Sequence, residues 1–335
     1  MVEFARETGL SPARTAPRRY LWTDAFAVCN FLGLYQETRD DKFKDLALQL
    51  VEQVHQTLGR HRGDDPRTGW ISGLDEEQGK KHPTRGGLRI GKQLQERGPD
   101  VPFDESLEWD RDGQYYHYLT KWMHALNRVS KVTGDIKYNT WAVELAKTAH
   151  ARFVYASRHG GPKKMYWKMS IDLSRPLVPS MGQHDSLDGF VTYNELQAAT
   201  AKRREESVEN DLKAEILDMV HIGQGRSWVT DDPLGIGGLL FDACRVAQLI
   251  ARGNLEQTDL LETLLDSSLI GLESFVKDNS LRVPVHYRLA FRELGMSIGL
   301  RAVEKTRELI EQKSSSFRNK NSLHSRLKRI LISKR

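Results

Sequence analysis

Apolar residues recur at helical spacing in consecutive pairs of segments, and few folds can bury so many one-sided helices. Ala25, Val28, Leu32 and Tyr35 share one face. Phe43, Leu46, Leu50, Val54 and Leu58 share the next, and Gly59 is placed to end it. Tyr115, Leu119, Trp122, Leu126 and Val129 form a third stripe, stopping near Gly134, and Trp141, Leu145, Ala149 and Phe153 form its partner over about residues 137–156. Further helices are predicted from near Leu187 and over roughly 205–222, 234–251 and 257–277, with a last pair over 285–299 and 300–311. One helical hairpin cannot enclose its own apolar face, so the units must stack. Either a closed ring or an open α-solenoid without a central cavity would bury these faces. Gly235, Gly237 and Gly238 in LGIGGLL favour the ring. Each costs about 1 kcal/mol relative to Ala inside a helix, which is tolerable where backbones must approach closely. The expectation is an all-α fold, an α/α toroid of five to six helical hairpins, with long loops and short strands at one mouth of the ring.

The connections carry the unusual residues. Residues 60–108 are rich in Gly, Pro and charge and too long for a simple link, and loops of this kind usually serve function. YWKMSIDL alternates enough for a short strand. Four helix entries resemble one another in placing Asp at or beside a helix start: LWTDAF, EWDRDG, QHDSLDG and VTDDPLGIGG. The reading divides the chain into an N-terminal extension (1–19), one toroid domain (20–312) and a basic tail (313–335). The formal charge of +5 comes from that tail: without its eight Lys and Arg, 42 basic residues face 45 acidic ones. The body therefore offers no basic face, and no specific nucleic-acid partner is expected. Cys29 and Cys244 lie in apolar helical contexts and read as buried thiols rather than a disulfide or metal pair. No apolar h-region opens the chain and no apolar stretch reaches the length of a membrane span, so a cytoplasmic protein is expected. The phosphate-loop pattern is absent, and neither a cofactor nor a metal site is predicted, His61, Asp64 and Asp65 being too loosely spaced. The oligomeric state stays open.

Residues Trp109–Gly113 read WDRDG. Together with the hairpin repeat, the acid-bearing entries and the Trp-rich loops, over about residues 20–311, they make the chain resemble the six-hairpin glycosidase superfamily. The segment is similar to the Trp-x-Arg-Asp of glucoamylase-like enzymes, in which the Arg and Asp hold hydroxyls of the sugar in the reactive subsite. That resemblance implies a carbohydrate-active enzyme, first of all a glycoside hydrolase, with Arg111 and Asp112 at the sugar. Equivalents of that family's acid and base glutamates are not found. Sugar epimerases and isomerases share the barrel and use inner-helix histidines. The candidates here are His117, His184 and His286.

Hydrolysis of a glycosidic bond needs two carboxylates in different protonation states. Asp112 can meet Asp185 or Asp188, which stand three apart and so share a helix face, with His184 beside them as a neutral-pH acid or base. These four are the catalytic candidates; helix capping is the competing explanation for each Asp. Sugar rings present apolar faces to aromatics, and Trp22, Trp70, Trp109, Trp167 and Trp228 lie in loops or helix entries where stacking is possible. The remaining substrate-binding candidates are Tyr116 in the aromatic run, the entry acids Asp24, Asp110 and Asp232, Arg111, and Arg89. Arg89 belongs to RGGLRIGK, a cluster suited to a carboxylate or phosphate on a sugar acid or sugar phosphate. The expected partner is thus a saccharide or sugar acid. The alternatives are an epimerase or isomerase on the same barrel, or a non-enzymatic helical-repeat module.

Overall fold

The computed structural model describes residues 1–157, 161–201, 211–278 and 282–333. The chain separates into two compact units, Met1–Ile222 and Gly223–Arg335.

In the first unit a short helix, α1 (Val2–Glu7), precedes the hairpin of α2 (Leu21–Thr38) and α3 (Asp41–Leu58). The first nineteen residues are tied to that hairpin. Phe4 meets Phe31 edge-on at 6.4 Å, Leu10 is fully buried, and Gln53 donates to the Gly9 carbonyl. The long loop holds two further short helices, α4 (Glu76–Lys81) and α5 (Glu105–Asp110), both opened by aspartate caps, Asp75 and Asp104. β1 (Gln114–Tyr115) leads into α6 (Tyr116–Thr133), which Gly134 ends in the left-handed conformation. α7 (Lys137–Phe153) returns, followed by β2 (Val154–Tyr155), β3 (Lys164–Met165), β4 (Lys168–Met169) and β5 (Pro176–Val178). β1, β4 and β5 form a small antiparallel sheet in that order, and β2 pairs with β3. α8 (Asp185–Ala201) and α9 (Lys213–Gly223) follow. α6 is the central element, packed against α2, α7 and α8, with Leu119, Trp122, Leu126 and Val129 fully buried as the stripe requires.

The entry to α6 differs from expectation. WDRDG does not open that helix: Trp109 and Asp110 finish α5, Arg111 is its C-cap, and α6 starts at Tyr116. The reason lies in Gly113, whose φ of +148° breaks the helical path. A Cβ there would stand 2.7 Å from the Met169 carbonyl oxygen, so the chain passes close against β4.

The second unit contains α10 (Pro233–Ala251), α11 (Thr258–Lys277), α12 (Ala290–Gln312) and α13 (Lys320–Ser333). α10 packs on α11 and α12, and α13 lies against both of these. The predicted break at Gly299 does not occur, and α12 runs through it. That glycine is used for contact: a Cβ on it would lie 2.5 Å from the Gly237 carbonyl oxygen, and a Cβ on Gly237 would lie 2.2 Å from that of Gly295. The close approach anticipated from LGIGGLL is therefore met by glycines on the facing helix. The basic tail folds too. Leu323, Leu327 and Ile330 repeat at helical spacing and are fully buried, while Arg326 pairs with Asp266.

Candidate active site

The small sheet sets the geometry. Pairing of β1 with β4 places Gln114 opposite Met169, and Tyr116 N–H donates to the Trp167 carbonyl at 3.0 Å. Trp167 is thereby held over the first turn of α6, where His117 projects. Tyr115 stacks on His117 with ring centroids 5.4 Å apart and Trp167 stacks at 6.4 Å; Tyr118 and Trp22 present edges at 5.0 Å and 6.1 Å. Trp109, half exposed, extends this wall by meeting Trp167 at 5.6 Å. Tyr20 closes it from the other side through a 2.6 Å hydroxyl contact with Tyr118. His117 thus sits in an aromatic wall with 33 % of its side chain open to solvent.

Below it, α6 turns a polar stripe toward α8. His117, Lys121 and His124 recur at i, i+4 and i+7, and each meets an acid. His117 Nδ1 is 3.8 Å from Asp185 Oδ1, Lys121 Nζ is 2.7 Å from Asp188 Oδ1, and His124 Nδ1 is 2.8 Å from Glu195 Oε2. Thr120 donates to Asp188 Oδ2 as well. Asp185 is 5 % exposed and its Oδ2 has no hydrogen-bond partner. Gly182 lies so close that a Cβ there would come within 2.3 Å of that oxygen. Burial first, then the neighbouring Asp188, pushes the Asp185 carboxyl up to about 7. The enclosing rings, then Lys121, push His117 below the usual imidazole range. The arrangement places a neutral imidazole, able to accept a proton, beside a carboxyl that titrates near neutrality.

The other sequence candidates divide sharply. Asp112 is fully buried in unit one, and both oxygens are occupied. Oδ2 accepts from Arg89 at 2.6 Å and from Arg62 at 3.2 Å; Oδ1 accepts from the Gly91 and Gly113 amides. Arg89 spends its remaining donors on the Arg60 and Thr57 carbonyls. This pair fastens the long loop to the turn before β1, and neither partner faces the aromatic wall with a spare polar atom. Asp24 is 1 % exposed in the first turn of α2, accepts from the Tyr20 amide, faces Arg19 at 3.5 Å, and is pushed up to about 7 by burial. Trp70 is 3 % exposed and fills the loop against Gly79 and the Arg60 guanidinium, outside the ring cluster around His117. Tyr116 is a core residue whose hydroxyl donates to Tyr193. Asp110 is exposed at the end of α5. Half-buried His184 immediately precedes α8, and its carbonyl accepts from the Asp188 amide. In the second unit Asp232 caps α10 and pairs with Arg292, Trp228 is 8 % exposed, and His286 is exposed in a short 3-10 turn. The structure therefore gathers Trp22, Trp109, Trp167, Asp185, Asp188 and His117. Lys121, His124, Glu195, Tyr20 and Tyr118 join them without having been singled out in the sequence. For Lys121 and His124 a signal was present, as the i+4 and i+7 positions of a polar stripe that starts at His117 on α6.

No family model matches the chain, and no curated protein matches it significantly. Among solved structures it is similar to a sugar epimerase from a ruminal bacterium, with a TM-score of 0.51 and 11 % identity over 92 % of this chain and 75 % of that one. A cellobiose 2-epimerase from Spirochaeta thermophila aligns with a TM-score of 0.41 and 13 % identity, over 88 % of this chain and 60 % of that one. The first likeness is one of fold, and it gives the chain the all-α, hairpin-built α/α-toroid fold.

Proposed function

We propose that the protein is a saccharide-modifying enzyme that works by proton transfer next to a sugar carbonyl, as an epimerase or isomerase. The observation that carries this reading is His117, solvent-accessible within a wall of Trp22, Tyr115, Tyr118 and Trp167, with Asp185 at 3.8 Å. The wall supplies faces for the apolar side of a sugar ring. Neutral His117 takes the proton from the carbon beside the carbonyl, the electron pair moves through the new carbon–carbon double bond onto the carbonyl oxygen, and the Asp185 carboxyl gives that oxygen its proton, leaving an enediol, an imidazolium and a carboxylate. The Asp185 carboxylate then takes the proton of the neighbouring hydroxyl as the new carbonyl forms there, and His117 returns its proton to the other carbon, so both groups end in their starting forms. Acid and base so close together serve one face of the substrate, which suits proton return to the neighbouring carbon, an aldose–ketose exchange. Inversion at the same carbon requires a donor on the opposite face. The similar solved structure is a sugar epimerase, which agrees with this class of chemistry.

The hydrolytic reading keeps one supporting observation. Asp185, raised to about 7, and Asp188, ion-paired to Lys121, occupy different electrostatic environments on one helix. Asp112, the third carboxylate that reading called on, is enclosed. Incubating the full chain with cellobiose and with free aldoses in D₂O separates the two. Proton transfer predicts deuterium at C1 of the ketose formed, and at C2 of the aldose re-formed from it, with no new reducing ends from cellobiose, all abolished in His117→Gln. Release of reducing ends that persists in His117→Gln and vanishes in Asp185→Asn would establish hydrolysis instead.

A further inference from the structure

Most of the loop cations near the aromatic wall end on a carboxylate, and Arg175 donates to the Arg97 carbonyl. Arg62 and Arg89 end on Asp112, Arg97 and Lys168 on Glu108, and Arg67 on Asp65 and Glu96. Among the described residues, Lys92 and Arg111 have no carboxylate partner and donate no hydrogen bond from their charged ends. Both are half-buried.

The backbone brings these two into one neighbourhood. Leu94 bridges Arg111 in parallel, with Leu94 N–H donating to the Asp110 carbonyl and Asp112 N–H to the Leu94 carbonyl. Two residues earlier, the Lys92 amide approaches Asp112 Oδ1 at 3.4 Å. Each cation also adjoins the wall. Lys92 Nζ lies 5.6 Å from the Tyr20 ring, which contacts Tyr118 beside His117. Arg111 follows Trp109 by two residues, and that ring leads through Trp167 to His117. Partly desolvated cations without counter-charge are costly to keep and are normally compensated. Of the two carboxylates that flank Arg111 in sequence, Asp112 is already consumed by two other arginines, and Asp110 makes no ion pair with it. Arg111 offers a planar fork and Lys92 a point charge, a combination that matches an anionic oxygen group.

We propose that Lys92 and Arg111 bind an anionic substituent, carboxylate or phosphate, on the saccharide that stacks on the Trp109–Trp167 part of the wall. The inference rests on the saccharide reading of the site and narrows its substrate to acidic sugars. The test is calorimetric titration of the full chain with glucose, glucuronate and glucose 6-phosphate at low and at high ionic strength. At least one anion is expected to bind roughly tenfold tighter than glucose, with a preference that shrinks in salt. Which anion wins identifies the substituent. The double variant Lys92→Met/Arg111→Met should bring the anion-to-glucose affinity ratio to near one, its fold being checked by circular dichroism. Equal affinity for all three sugars in the wild type, or a ratio unchanged in the double variant, overturns the inference. Either result leaves the deuterium-exchange test of His117 to stand or fall separately. An anion preference that depends on both cations, with no exchange in any sugar, would retain the binding site and discard the proton-transfer chemistry.

Discussion

Lys121 Nζ and Asp188 Oδ1 meet at 2.7 Å across the α6–α8 interface, and the pair leaves Asp185, one turn earlier on α8, facing His117. Lys121 thus acts on three groups. It neutralises Asp188, and its charge lowers both His117 and Asp185. Lys121→Met is expected to raise the titration of the His117 ring, read by NMR, and to shift the acid limb of the activity profile upward with it. Asp188 then remains nearly buried without this cation, at a cost of about 3 kcal/mol in unfolding free energy. An unmoved His117 titration would mean that burial alone sets its protonation.

Asp112 is expected to prove structural. Removing it strands Arg89, 8 % exposed on its side chain, and unties the long loop from β1. Asp112→Ala should cost about 3–5 kcal/mol, as breaking a buried ion pair does, and lower the melting temperature accordingly. Asp112→Asn keeps the hydrogen bonds to the two amides and should recover part of the loss. Where the Asn variant is folded, its turnover should follow its folded fraction. A folded Asn variant with normal stability and no activity would return Asp112 to the chemistry.

Much of the architecture is legible in the sequence because burial has a period. The stripe from Leu119 to Val129 names the buried face of α6, and Gly134 names its end. The helix entries are less legible, since Asp caps and Asp ligands use the same residues at the same places. Asp232 caps α10 as its Pro neighbour suggests, whereas Asp112, in a segment that reads as a helix start, caps nothing and clamps a loop. The site was only half legible. Trp109 and Trp167 stand out as loop tryptophans, but Trp70 carries the same signal and fills a loop interior. Which tryptophans converge on His117 depends on the β1–β4 pairing, a contact between residues more than fifty positions apart.

The glycines of α10 make a paired prediction. A Cβ on Gly237 would fall 2.2 Å from the Gly295 carbonyl oxygen on α12, whereas a Cβ on Gly238 meets nothing within 4 Å. Gly237→Ala must push two helix backbones apart and should cost about 2–3 kcal/mol, as overpacking does. Gly238→Ala removes only unfolded-state freedom and improves helix propensity, and should stabilise by about 0.5–1 kcal/mol. Opposite signs in urea unfolding test the close α10–α12 contact; equal effects would contradict it.

Asp185 should add its own pH dependence to stability. An unperturbed aspartate titrates at 3.8, and in the folded protein this carboxyl titrates at about 7. Between those values the folded state holds a proton that the unfolded state has released, so stability falls as pH rises from about 4 to about 7. The stabilising contribution belongs to the acid side of that window and is lost above it. A shift of about three units corresponds to about 4 kcal/mol. Asp24, also raised to about 7 by burial, adds a fall of the same sign, whereas His55 and His117, both lowered by burial, add an opposing rise up to the ordinary imidazole range, so the share of Asp185 is read as a difference from its variant. Asp185→Asn fixes the neutral form. It should match the wild type near pH 4 and exceed it by about 2–4 kcal/mol near pH 8. The same variant should lose catalysis, because the amide neither takes nor gives the proton beside His117. Urea midpoints at the two pH values, with deuterium exchange measured on the same samples, read both outcomes. A variant that gains nothing at pH 8 would show that Asp185 titrates in the ordinary carboxylate range, and the proton would then have to be held elsewhere on the α6–α8 stripe.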